Sequence, residues 1–196
     1  EFFTENQKRY TIGEVELHVN YVLIISTNAG LWAYNIGDTV QFTSLKPYRV
    51  IVSGRIKHYI SAFGEHVIGK EVESALKEAM EGTDVRVNEF TVAPQINPKE
   101  GLPYHEWLIE FENKPESLTA FTTELDQNLK LVNSDYEAKR YKDIALGLPK
   151  VTALPEGLFH TWLKNKGKLG GQHKVPRLSN DRRYIDELLL LLQQYA

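Results

Sequence analysis

No cysteine occurs among the 196 residues. That absence excludes a disulfide framework, a thiolate metal site and a cysteine nucleophile, and it suits a reducing, cytoplasmic setting. A basic surplus is missing as well: 23 Lys plus Arg stand against 26 Asp plus Glu, a net charge of -3. A protein held to nucleic acid chiefly through phosphates needs the opposite balance. Long apolar runs are lacking too. The longest, Leu188 to Leu192, falls far short of the roughly 20 residues a membrane-spanning helix requires. The opening Glu1-Phe2-Phe3-Thr4-Glu5 has neither Met nor a basic-then-apolar leader, so the chain is expected to begin within a longer protein. What is present, 42% hydrophobic and 25% charged residues, suits one substantial core or two small ones.

The first third reads as β structure. Val15, Leu17 and Val19, then Val22 to Thr27, are β-rich and close on Asn28-Ala29-Gly30. A turn is expected around Gly37, followed by strands at Thr39 to Thr43 and Tyr48 to Val52. Such short strands suit part of a small barrel or twisted sheet that needs partners. The character changes near Val52 to Lys57, which sets the expected boundary between residues 1–53 and 54–196.

Beyond it, Val72, Ala75, Leu76, Ala79 and Met80 share one helical face, with Gly82 as a stop. Val85 to Ala93 and Trp107 to Phe111 supply an antiparallel strand pair beneath that helix. Leu118, Phe121, Leu125, Leu129 and Val132 mark a second helix, and Ser134-Asp135-Tyr136-Glu137 restarts one as a capping box. A short strand is expected at Val151 to Leu154. A helix opening at Pro155 carries Leu158, Phe159, Trp162 and Leu163, and a last one puts Ile185, Leu188, Leu189 and Leu192 on one side. The basic, glycine-rich stretch from Lys164 to Arg177 reads as the most mobile loop. Trp32, Trp107 and Trp162 lie in apolar patterns and are expected in cores. The fold class is therefore α+β: the end of a barrel-like β subdomain, then a small domain of mixed sheet and packed helices.

Three features bear on chemistry. In Tyr34-Asn35-Ile36-Gly37-Asp38, a carboxylate follows a glycine. Asp38 can accept both hydroxyls of a ribose while Gly37 admits a close ligand, although Gly-Asp is also ordinary turn chemistry. In Gly54-Arg55-Ile56-Lys57, two cations stand at the expected junction, suited to ribose or phosphate oxygens or equally to guarding a sheet edge. The glycine-flanked loop carries Lys164, Lys166, Lys168 and Lys174, for which solvated lysines complementing a helix C-terminus are the plain reading. Glu71 and Glu73 suit a helix N-terminus better than an acid pair. His105-Glu106 begins like a zinc-protease motif, but no second histidine follows at the needed spacing. No Walker sequence or Gly-x-Ser-x-Gly elbow is present.

The ordered set of Thr27-Asn28-Ala29-Gly30-Leu31, Tyr34-Asn35-Ile36-Gly37-Asp38, Gly54-Arg55-Ile56-Lys57, Gly64-Glu65 and Glu71-Val72-Glu73 resembles the acyl-adenylate-forming enzymes. With Gln172-His173-Lys174-Val175-Pro176-Arg177, it looks most like the auxin-responsive Gretchen Hagen acyl amido synthetases, over nearly the whole chain. Asn35 departs from the arginine that family carries after the motif tyrosine. The resemblance implies that Tyr34, Gly37, Asp38 and Arg55 bind ATP, with Asp38 on the ribose. It implies that Lys57 is a hinge and that Lys174 reaches the α-phosphate during adenylation, with Mg2+ on the phosphates. It further implies small carboxylic acid and amino acid substrates, and a missing N-terminal domain of the same protein as partner. An acyl-CoA ligase of the same superfamily and a noncatalytic binding domain stay open as alternatives. The fragment by itself is expected to be inactive, since it contains no Ser/Thr-rich phosphate loop.

Overall fold

The computed structural model describes residues 2–3, 8–55, 59–167 and 174–194. The first five strands are β1 (Phe2–Phe3), β2 (Arg9–Tyr10), β3 (Asn20–Ile25), β4 (Tyr34–Leu45) and β5 (Tyr48–Arg55). They form an antiparallel sheet in the order β2-β1-β3-β4-β5, an open sheet among the described residues. Alternation along β4 buries Val40 and Phe42 against Phe2, Val15 and Tyr21. The rings meet edge to face, Phe42 lying 5.2 Å from Phe2 and 6.1 Å from Tyr21. Val50 and Val52, on edge strand β5, are exposed.

Two expectations change here. Val15 to Val19 is not a regular strand. Thr11 and Glu14 close a 3-10 turn over Ile12–Glu14, and the chain behind it touches the sheet through a bridge of Leu17 to Phe42. Nor does Gly37 divide two elements. β4 runs straight through it, because the two extra residues there are absorbed as a bulge while pairing resumes on both sides.

The remaining elements are β6 (Tyr59–Ile60), β7 (Val67–Ile68), α1 (Gly69–Met80), β8 (Arg86–Gln95), β9 (Tyr104–Asn113), α2 (Leu118–Val132), α3 (Ser134–Arg140), β10 (Lys150–Leu154), α4 (Leu158–Asn165) and α5 (Arg183–Leu192). β6 and β7 form a small hairpin. β8 and β9 are antiparallel, and β10 joins β9 in parallel after the chain crosses over through α2 and α3, giving the order β10-β9-β8.

β9 decides the layering. Trp107, Ile109 and Phe111 point into one core with α1 and α2, and Leu108 points into the other with α4 and α5. The unit is therefore helices on both faces of a sheet, not one helix over an antiparallel pair. Glu106 and Glu110, which give β9 the look of a half-solvated strand, are themselves buried. Arg182 donates to Glu106 at 2.7 Å, and the Phe159 backbone N–H at the start of α4 donates to Glu110 at 3.3 Å.

The helix boundaries follow their caps. Gly82, at φ +71, follows α1 as expected. α3 is capped one residue earlier than expected, since Asn133 Oδ1, not the Ser134 hydroxyl, accepts the Tyr136 N–H at 2.7 Å. α4 begins after Gly157, at φ +78, because Pro155 is taken up in a turn whose carbonyl accepts the Leu158 N–H. Val132 is exposed, so the buried face of α2 ends at Leu129. α1 lies against β5 and joins the two parts. Among the described residues no helix is long and apolar enough to cross a membrane.

Candidate functional site

The first part of the site is the bulge in β4. Thr39 pairs with Val22 and Asn35 with Ile24, so four steps along β4 match two along β3. Gly37 lies inside this stretch at φ +84, a left-handed conformation that favours glycine, and nothing lies within 4 Å of where a Cβ would stand. Asn35 Oδ1 accepts the Gly37 N–H at 2.9 Å and holds the turn of backbone. Asp38 follows, half-buried, its Cα opposite that of Arg55 on β5. Tyr34, exposed, opens the same strand. Tyr34, Gly37, Asp38 and Arg55 are thus gathered at one end of the sheet.

The neighbouring loop carries a correction. Trp32, expected in a core, is 85% exposed. The turn behind it is closed by Thr27 N–H to the Leu31 carbonyl at 2.9 Å and Ala33 N–H to Ser26 Oγ at 3.0 Å, which holds the indole out from the sheet. Trp107 and Trp162 are buried as expected.

Lys57 lies outside the described residues, as do 168–173 of the basic loop. The hairpin after Lys57 is fixed to the second part by side chains from distant segments. Glu65 Oε1 meets His105 Nε2 at 2.8 Å, both groups fully buried, and its other oxygen accepts the Phe63 N–H at 2.7 Å. Burial works against ionisation of Glu65, but the His105 bond and charge outweigh it and hold the carboxyl below the usual carboxylate range. Asn180 Oδ1 accepts the Ser61 N–H at 2.8 Å. The motif glutamate was visible in Gly64-Glu65; its partner, 40 residues away, stood out only as the start of an incomplete zinc-protease motif, with no signal for this pairing.

The second part is Lys174, exposed at the edge of the three-stranded sheet. Immediately after it the chain is tied down. Val175 is buried, Thr91 Oγ1 donates to the Pro176 carbonyl at 2.7 Å, and Val92 exchanges bonds with Arg177 and Ser179 at 2.9 and 3.1 Å. Arg177 pairs with Glu73 at 2.5 Å and with Glu89 at 3.6 Å, its guanidinium 5.1 Å from the Phe90 ring centre. An ammonium at the head of a fixed segment can be presented to an anion in a reproducible place. Lys164 is solvated as expected, but Lys166 is not: it pairs with Glu187 and lies 4.6 Å from the Trp162 ring centre. Glu71 sits in the first turn of α1, accepting the Ile68 N–H, as its position suggested. No cluster of three or more His, Asp or Glu that could hold a metal occurs among the described residues.

Comparison with known proteins places these features in a family. Residues 1–55 match the model of the GH3 family central domain, and residues 70–183 that of the GH3 family C-terminal domain. The chain is 26% identical over 191 residues to indole-3-acetic acid-amido synthetase GH3.3 of Arabidopsis thaliana, covering 89% of this chain and 31% of that protein. It is 27% identical over 176 residues to jasmonoyl--L-amino acid synthetase GH3.5 of Oryza sativa subsp. japonica, covering 85% of this chain and 30% of that protein. Among solved structures it matches the GH3.15 acyl acid amido synthetase with a TM-score of 0.72 at 19% identity, over 99% of this chain and 36% of that one. The chain spans about a third of the length of the relatives it matches.

Proposed function

This chain belongs to the GH3 family, and on that premise we propose that it is the C-terminal portion of an ATP-dependent acyl acid amido synthetase. The reaction has two steps. A substrate carboxylate oxygen attacks the α-phosphorus of ATP, the bond to the β-phosphate oxygen breaks, and pyrophosphate leaves. An amino acid nitrogen then attacks the acyl carbon of the mixed anhydride, AMP departs with the bonding pair, and the nitrogen gives up a proton to water.

The residues divide the work. Asp38 accepts the ribose hydroxyls, Gly37 lets the nucleotide approach the backbone, and Tyr34 and Arg55 flank it. Residues 1–53 close the large domain. Residues 54–196 form the small one, which turns at Lys57 and delivers Lys174 to the α-phosphate. The attack brings two anions together, and a fixed ammonium offsets that repulsion where charge develops. Mg2+ would neutralise the phosphates. No cluster of three or more His, Asp or Glu that could hold it occurs among the described residues, and no step here is routed through it. The apolar exposed residues Trp32, Val50 and Val52 suit an interface with the rest of a longer protein. The absence of cysteine fits a cytoplasmic location.

The observation that carries this reading is the built contrast between the two parts: an acceptor carboxylate beside an open glycine on one, an exposed ammonium at the head of an anchored segment on the other. In the intact protein, Lys174→Ala should slow ATP–pyrophosphate exchange by about 10²-fold or more, and Asp38→Asn should weaken ATP use by about tenfold. Unchanged exchange in both variants would refute it and favour a binding module. Thioester formation with CoA in place of amide formation with amino acids would reassign the second step. This chain by itself should support no exchange.

A further inference from the structure

Lys174 stands three residues ahead of the first backbone hydrogen bond that ties its segment to β8, the Val92 N–H to the Arg177 carbonyl. In that gap Val175 supplies only apolar burial and Pro176 has no N–H to give. The polar tie there is Thr91. Its side chain is fully buried in the middle of β8, and its hydroxyl donates to the Pro176 carbonyl at 2.7 Å, 85 positions along the chain. Two residues of extended chain reach at most about 7 Å, so any slack at Pro176 passes directly to Lys174. One residue further on, Arg177 is clamped from outside by Glu73 of α1 and Glu89 of β8.

We infer that Thr91, backed by Arg177, is a positioning residue that fixes where Lys174 presents its ammonium. This rests on the role given to Lys174 above. Thr91 touches no substrate and acts only through the segment it holds. A valine would match its shape and leave the Pro176 carbonyl without its donor, so the defect would fall on the placement of Lys174 while the core stays filled. Because Lys174 serves the attack on phosphorus and not the later attack on the acyl carbon, a positioning defect should divide the two half-reactions. A general loss of structure would depress both.

The test uses the intact protein, with adenylation followed by ATP–pyrophosphate exchange and transfer followed separately from presynthesised acyl-adenylate and the amino acid. Thr91→Val should slow adenylation about tenfold and leave transfer within about twofold, and Thr91→Ser, which keeps the hydroxyl, should restore adenylation. Arg177→Gln should slow adenylation about threefold with transfer again spared, and it decides the matter if Thr91→Val does not fold. Equal slowing of both steps by Thr91→Val would reduce Thr91 to a structural residue and overturn the inference. So would wild-type adenylation in Thr91→Val, or in Arg177→Gln should that variant decide. Lys174→Ala in the same assays separates the two claims. If it abolishes adenylation while Thr91→Val does nothing, only the positioning role fails; if Lys174→Ala is itself without effect, the underlying reading fails.

Discussion

Arg140→Met tests whether the buried charges of the small domain hold it together as their geometry indicates. The Asp126 carboxylate, 1% exposed, accepts from Tyr136 Oη at 2.7 Å, Lys130 Nζ at 2.6 Å, and Arg140 Nε and Nη2 at 2.8 and 3.0 Å. Arg140 Nη1 also donates to the Leu146 carbonyl at 2.7 Å, pinning the loop before β10. Methionine fills much of the same space but removes two of the donors to a buried anion and the donor to Leu146. Removing one side of a buried pair costs roughly 3–5 kcal/mol, and the surviving Lys130 and Tyr136 bonds place the loss near the lower end, about 3 kcal/mol. At a urea slope of about 3 kcal/mol per molar, the unfolding midpoint should fall by about 1 M. The pH dependence gives a second reading. Burial opposes ionisation of Asp126, but the bonds from Arg140, Lys130 and Tyr136 outweigh it and hold the carboxyl below its ordinary value. Its stabilising contribution is therefore complete above the unfolded carboxylate pKa, about 4, and is lost as pH falls through the lower folded value. Arg140→Met should shrink that acid-side loss. The double variant Asp126→Leu/Arg140→Met should be less damaging than the two single costs added, because neither the buried carboxylate nor the buried guanidinium is left facing an empty partner, and Lys130, partly exposed, can turn to solvent. A loss below about 1 kcal/mol, an unchanged acid limb, or strict additivity would refute the argument.

Glu71 responds in the opposite sense. Burial raises its carboxyl pKa despite the Ile68 N–H and the Asn133 amide, which both donate to the same oxygen, at 3.0 and 2.8 Å. Its folded pKa lies above the unfolded one, so ionisation at neutral pH costs stability that returns as pH falls through the folded value. Glu71→Gln keeps an oxygen for both donors and should leave the unfolding free energy at pH 7, followed by urea denaturation, unchanged or raised by up to about 0.5 kcal/mol; a loss above about 1 kcal/mol would contradict this. The tryptophans should separate by location. Trp32→Ser should move the chain's urea stability by no more than about 0.5 kcal/mol, while Trp107→Ala, which empties the site stacked 5.8 Å from Phe90, should cost about 3–5 kcal/mol; comparable losses would mean the exposed indole is packed.

Periodicity in the sequence was sufficient for α1, β8, β9, α2 and α5, because each carries a repeat that local geometry converts directly into one buried face, as in Val72, Ala75, Leu76 and Ala79. The motif residues Tyr34, Gly37, Asp38, Arg55 and Lys174, whose roles stay proposals, could be singled out for a related reason: their residue types and order are local text. Contacts distant in sequence were not legible. Nothing local pairs Glu106 with Arg182, Glu110 with the start of α4, or His105 with Glu65; each partner is delivered by the fold. Trp32 shows the same limit in reverse, an apolar residue in an apolar stretch with no neighbour delivered to cover it. A side chain's preference for helix, strand or turn is set by its own backbone and so travels with the sequence. Whether a charge is paired or an indole is buried depends on which distant segment arrives beside it. In this protein only the tertiary structure decided that, for the bulge that displays Asp38 and for the threonine that ties down the segment behind Lys174.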